Sequence, residues 1–89
     1  VTGEQETPFE FPCDFPIKAM GRAGEGFDLL VLEIVRRHAA DLDESRVKVR
    51  QSRGGKWISV TVTVRARSKG QLDAIYRELS GHERVVWAL

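Results

Sequence analysis

The sequence predicts an α+β sandwich, with a four-stranded antiparallel sheet and two helices packed on one of its faces. Two observations carry this. In mid-chain, two strictly alternating runs, Arg46–Arg50 and Ile58–Val64, flank Gly54-Gly55 and read as a β-hairpin. On either side of that hairpin lies one apolar stripe at helical spacing, and outside each stripe lies one further strand-like segment.

The elements follow in chain order. Residues 1–8 hold Gly, Glu, Gln, Thr and Pro with one aliphatic residue, the composition of a disordered tail. A single domain is expected over residues 9–89. Pro12 and Pro16 forbid a helix around Cys13 and Asp14, so Phe15–Gly21 is the first strand. It runs into a Gly-rich loop, Gly21–Gly26. Phe27, Leu30, Val31, Ile34, Val35 and His38 then mark the buried stripe of a helix, widened by Leu29 and Leu32. The acidic stretch Asp41–Glu44 ends it.

In the hairpin, opposed residue numbers sum to 109, which sets Val49 against Val60, Val47 against Val62 and Glu44 against Arg65. Both apolar faces then coincide, an internal check on the register. Ser68 followed by Gln71 matches a capping box. Leu72, Ile75, Tyr76 and Leu79 give the second helical stripe, stopped at Gly81. Arg84–Leu89 closes as a strand that is apolar on both sides. The order β-α-β-β-α-β with right-handed crossovers gives a ferredoxin-like sandwich with one face of the sheet left open.

Size and composition bound the function. With 89 residues and 10.0 kDa there is material for one modest core and no deep cleft. At 42% hydrophobic and 30% charged residues the chain is neither low-complexity nor disordered throughout. No apolar run reaches the roughly 18–20 residues that cross a bilayer. One cysteine, Cys13, excludes an internal disulfide, and the acidic Val1–Glu10 lacks the pattern of a secretory leader, so the expected location is the cytoplasm.

The net charge of +1 conceals an asymmetry. Up to Glu44 there are ten acids against four bases; from Ser45 to Lys69 there are eight bases and no acid. The hairpin register puts Arg46, Lys48, Arg50, Trp57, Arg65 and Arg67 on the open face, separated by Ser and Thr residues. Such a surface suits an anionic partner, or is solvated and balanced by the acidic segments. Charge reversal at Arg46, Lys48 and Arg50 is expected to weaken partner capture while leaving the fold intact.

Ferredoxin-like domains include ACT-type regulatory domains and RNA-recognition domains, which is an analogy of fold alone. RNA-recognition strands carry a basic-Gly-aromatic-small-aromatic run. Arg53–Val62 supplies one ring, Trp57, and the outward residues of the first strand, Lys18 and Met20, supply none. Gly21, Gly24 and Gly26 precede a helix, as phosphate loops do, but match neither the dinucleotide fingerprint nor a Walker loop. They stand as a possible small-ligand loop. Cys13, His38 and His82 lie in three unrelated elements, and Asp41, Asp43 and Glu44 lack the glycine and distal glutamate of a calcium loop. No catalytic residue, metal or cofactor is expected.

The chain resembles the YbeD family of small bacterial proteins of uncharacterised function, from about Phe9 to Leu89. The segments that carry the resemblance are Phe11-Pro12, Phe15–Gly21, Val35–Ala39, Ser52–Val62, Gln71–Leu79 and His82–Leu89. Ala40 stands where the family usually has proline, Trp57 where it has tyrosine, and Trp87 where it has methionine. The two-glycine turn replaces one with a single glycine. The change at Trp87 suggests that Val85, Trp87 and Leu89 point inward, with Val86 and Ala88 outward. The resemblance implies an ACT-like fold in the bacterial cytoplasm, transfers no catalytic residue, and, through gene proximity to lipoate synthesis, hints at regulation.

Together these readings give a non-enzymatic regulatory or adapter domain that binds a protein partner or a small metabolite. RNA binding through the basic open face is the alternative. A homodimer, formed through sheet edges or the Leu29 and Leu32 side of the first helix, is a third.

Overall fold

A computed structural model describes residues 10–89; the tail expected at residues 1–8, and Phe9, lie outside the described residues. Strand β1 spans Cys13–Arg22, helix α1 Phe27–His38, β2 Val47–Gln51, β3 Trp57–Ala66, helix α2 Lys69–Ser80 and β4 Val85–Ala88. The strands lie in the order β2-β3-β1-β4, every neighbouring pair antiparallel, which is the expected ferredoxin-like βαββαβ sandwich.

The core sits between one face of the sheet and both helices. Ile17 and Ala19 of β1 and Val60, Val62 and Val64 of β3 are buried against Phe27, Val31, Ile34 and Val35 of α1 and Leu72, Ile75 and Leu79 of α2. Strands β1 and β3 pair along their whole length, from Cys13 opposite Ala66 to Arg22 opposite Trp57. This pairing extends β1 beyond Phe15–Gly21 at both ends. Pro16 is tolerated inside it because Lys18 exchanges both backbone hydrogen bonds with Leu89 on the β4 side. Two residues earlier on that same edge, the ring of Pro16 lies beyond the last paired residue of β4, where no ladder bond is lost.

The hairpin holds the expected register, Val47 opposite Val62 and Val49 opposite Val60. Its connection is wider than a two-residue turn. The last paired backbone bond runs from Ser52 N–H to the Trp57 carbonyl at 2.8 Å, and Gly55 N–H closes on the Ser52 carbonyl at 2.8 Å. The loop therefore opens by one residue on each side, which keeps the register. Gly54 and Gly55 have φ of 91° and 71°, values that side chains disfavour. Glu44 does not face Arg65: a 3-10 turn at Glu44–Arg46 lifts it out of the ladder, and it pairs with Arg36 of α1 at 3.1 Å.

Helix α2 begins as expected, with Ser68 Oγ accepting from Gln71 N–H at 3.1 Å. The return bond is different. Gln71 Oε1 accepts from Arg67 N–H at 2.6 Å, while its Nε2 donates to the His38 carbonyl at 2.7 Å, fastening the start of α2 to the end of α1. On α1, Leu32 is buried and Leu29 is exposed, so the widened side leaves only Leu29 at the surface.

The final strand departs from expectation. Ala88 lies opposite Ala19 and Trp87 opposite Met20, but Val85 lies opposite Gly21, so Val86 is an extra residue in a bulge. Val85 and Ala88 face the core, Trp87 turns to the open face, and Leu89 is exposed. The inward placement of Trp87 and Leu89 is thereby corrected, as is the outward placement of Ala88. Gly21 shows why the strands meet so closely: a Cβ there would stand 2.3 Å from the Arg84 carbonyl oxygen and 2.6 Å from the Phe27 ring.

Candidate functional site

Strand alternation decides what the open face carries. Because Ile17 and Ala19 point inward, Asp14, Lys18, Met20 and Arg22 point outward. By the same rule β3 presents Trp57, Ser59, Thr61, Thr63 and Arg65, and β2 presents Lys48 and Arg50. Pairing aligns these into rows across the sheet: Lys48, Thr61 and Lys18; then Arg50, Ser59, Met20 and Trp87; then Trp57 and Arg22.

One end of the face is closed by ion pairs. The Asp14 carboxylate accepts from Arg46 at 2.9 and 3.2 Å and from Arg65 at 3.4 Å. The Arg46 hydrogen bond, reinforced by the charges of Arg46 and Arg65, holds the Asp14 carboxyl below its ordinary pKa, and Asp14 in turn raises that of Arg46. Arg67 pairs with Asp41 at 2.9 Å. Three of the six residues singled out in the sequence are thus engaged with acids.

The other end is built differently. Trp57, Trp87, Met20, Val86 and Ser52 line a shallow apolar recess of about 320 Å³. Adjoining it, Lys18, Arg50, Ser59 and the same Trp57 border a second recess of about 180 Å³. The Arg22 guanidinium lies over the Trp57 ring, 5.3 Å from its centroid. Lys18, Arg22, Lys48 and Arg50 are exposed and have no ion-pair partner among the described residues. Two half-buried indoles therefore sit in an apolar patch rimmed by available cations.

The remaining candidates lie elsewhere. Gly21 is within β1, packed under Phe27 and Arg84; Gly26 caps α1 at φ 76°; the space beside Gly24 is taken by the Arg84 guanidinium, 3.2 Å from where a Cβ would be. His38 Nε2 lies 2.8 Å from Glu78 Oε1 on the helix side, where Glu78 also pairs with Arg37. His82 Nδ1 accepts from Arg84 N–H at 3.1 Å, and Cys13 is half-buried against the core. The structure does not bring these three together, and among the described residues no group of His, Cys, Asp and Glu is placed to hold a metal. No helix among the described residues is long and apolar enough to cross a membrane.

Residues 6–89 match the family described as "Protein of unknown function (DUF493)". The chain belongs to this family. It is 45% identical over 85 residues to a UPF0250 protein of Nitrosomonas europaea, covering 96% of this chain and 98% of that one. It is 51% identical over 80 residues to one from Paraburkholderia phytofirmans, covering 90% of each. With one from Chromobacterium violaceum it shares 46% over 89 residues, the full length of both. The YbeD resemblance is this family. These names carry a family designation and no activity, so no enzymatic family is indicated.

Within this DUF493 chain, sequence reasoning missed three contributors to the open face, Asp14, Arg22 and Trp87, while Val86 is exposed as expected. Asp14 and Arg22 share the parity of Lys18 and Met20 and were within reach of the same rule. Trp87 was not, because a bulge reverses parity and nothing local to Arg84–Leu89 marks one.

Proposed function

We propose that the chain is a small non-enzymatic binding domain of regulatory or adapter type, working in the bacterial cytoplasm, with the Trp57–Trp87 end of the open face as its contact surface. The observation that supports this most is the pairing of two half-buried indoles with cations that have no acid to satisfy them. The domain's own stability gains little from that arrangement, a cation over a ring being worth about 0.5–1 kcal/mol, whereas an anionic partner gains both apolar contact and charge. The recesses are shallow and open, while sites for small metabolites bury most of the ligand. A macromolecular partner therefore fits better than a free metabolite.

Site-specific photo-crosslinking in the native bacterium tests the reading. A crosslinker at Ser59, in the row of Met20 and Trp87, is expected to give a discrete adduct that Trp57→Ala abolishes. One at Asp73, on the exposed side of α2, is expected to give none. Adducts from Asp73 equal to those from Ser59, or none from Ser59, would overturn it.

A further inference from the structure

We infer that the partner of the Trp57–Trp87 end is single-stranded RNA, its bases stacked on the two indoles and its phosphates held by Arg50, Lys18 and Lys48. This rests on the open face being the contact surface and adds the chemistry of what it contacts.

Charge complementarity favours an anion, since Lys18, Lys48 and Arg50 are exposed and have no ion-pair partner among the described residues. The rings narrow the choice. Trp57 and Trp87 belong to β3 and β4, on either side of β1, with Met20 of β1 lining the recess between them. A base has a π face and needs only an exposed ring to stack on, whatever its identity. An acidic peptide lacks that match. Peptides usually gain main-chain hydrogen bonds at a sheet edge or lay a helix in a groove. Here β1 and β3 are interior strands whose backbone is already paired, so a partner lying across the shallow face meets side chains, and only the outer edges of β2 and β4 offer main-chain groups.

The cations also fit a chain better than a single nucleotide. Arg50 lies in the row of Trp87, and Lys48 and Lys18 lie in the next row. Rows are two residues apart, about 7 Å along the strand. A phosphodiester running from the rings toward the centre of the sheet therefore meets cations on both flanks. Beyond them the Asp14 cluster has its arginines engaged and ends the attractive stretch. Thr61, between Lys48 and Lys18, adds a hydroxyl that bonds a phosphate or a ribose 2′-OH.

The intrinsic fluorescence of the protein comes chiefly from its two tryptophans, both in this site, so binding is readable without a label. Titration with an oligouridylate and an oligoadenylate of about ten nucleotides, at physiological salt, is expected to quench it saturably. Trp57→Ala and Trp87→Ala are each expected to weaken binding roughly tenfold, measured by a labelled oligonucleotide. Arg50→Glu is expected to do the same, and Arg67→Gln to change it less than twofold. For three phosphates the slope of log affinity against log salt is expected near about −2.

Amide shifts of the unmodified protein serve as a second readout, expected at Lys18–Arg22, Lys48–Arg50 and Trp57–Thr61. No quenching and no shifts, or binding that neither indole variant weakens, would overturn the inference. If a glutamate-rich peptide with aromatic residues binds at this end and RNA does not, the RNA assignment falls while the contact surface stands. If Ser59 also yields no adduct in the cell, both fall.

Discussion

The two ends of the open sheet face are made of similar residues and behave oppositely. At one end three arginines, Arg46, Arg65 and Arg67, are matched by Asp14 and Asp41. At the other, Arg22, Arg50 and Lys18 surround two indoles and form no ion pair among the described residues. Basic residues counted along a chain thus say little about where an anion can bind. What matters is whether an acid from elsewhere in the fold has already claimed them. Asp14 lies more than thirty residues from Arg46 in sequence, yet chelates it.

The largest expected effect comes from removing the support of the aromatic end. Gly21→Ala puts a methyl group into the Arg84 carbonyl and the Phe27 ring. Backbone and a buried ring give way poorly, so a loss of about 3 kcal/mol is expected, seen as a fall in Tm of more than roughly 10 °C. Amide shifts are expected to change most in β4 and around Trp57, with the Asp14 cluster little affected. A fully stable variant would mean that the approach of β4 is looser than described.

Next in size is the contrast between two charge reversals. Arg50→Glu should cost most of the RNA affinity. Arg46→Glu should cost much less affinity, because Arg46 is already held by Asp14, yet it should lower thermal stability by placing two carboxylates side by side. Equal losses of affinity would erase the distinction between the ends. The simple expectation that Arg46, Lys48 and Arg50 act alike would then return.

Asp14→Asn sharpens the comparison by freeing Arg46 and Arg65. Salt-sensitive RNA binding should rise, since the quiet end becomes cationic. Stability should respond to pH with a definite sign. The folded pKa of Asp14 is depressed, first by the Arg46 hydrogen bond, so its contribution is full above the unfolded value of about 4 and is lost as pH falls through the folded value. Thermal melts should therefore show the variant less stable at pH 7 and the two proteins converging in stronger acid. A constant gap at all pH values would show that the carboxylate charge is irrelevant.

Arg22→Gln is expected to have the smallest effect. It removes a cation stacked on a half-buried ring, worth about 0.5–1 kcal/mol. A small change in Trp57 emission with little loss of Tm is the expected result.

Much of this fold was legible because it rests on local periodicity. The hairpin register followed from matching Val47 and Val49 to Val62 and Val60 on one face, and it holds even though Val49, on the outer strand, stays exposed. The stripe from Phe27 to His38 and the Ser68 cap were equally local. The site was half legible: Trp57, Lys48 and Arg50 came from hairpin parity alone. Its other half was not. Strand Val85–Ala88 is apolar on both sides, so alternation could not say which residues face the core, and the bulge at Val86 reversed the parity.

The amino-acid sequence by itself determined the order of elements, the hairpin register and the basic character of the open face, because these depend on neighbours a few residues apart. Only the tertiary structure decided that Trp87 stands across Met20 from Trp57 and that Asp14 silences Arg46 and Arg65. Those facts depend on how β1 pairs with β3 and β4, and that register is set by long-range packing around Gly21 and Phe27 rather than by any local pattern.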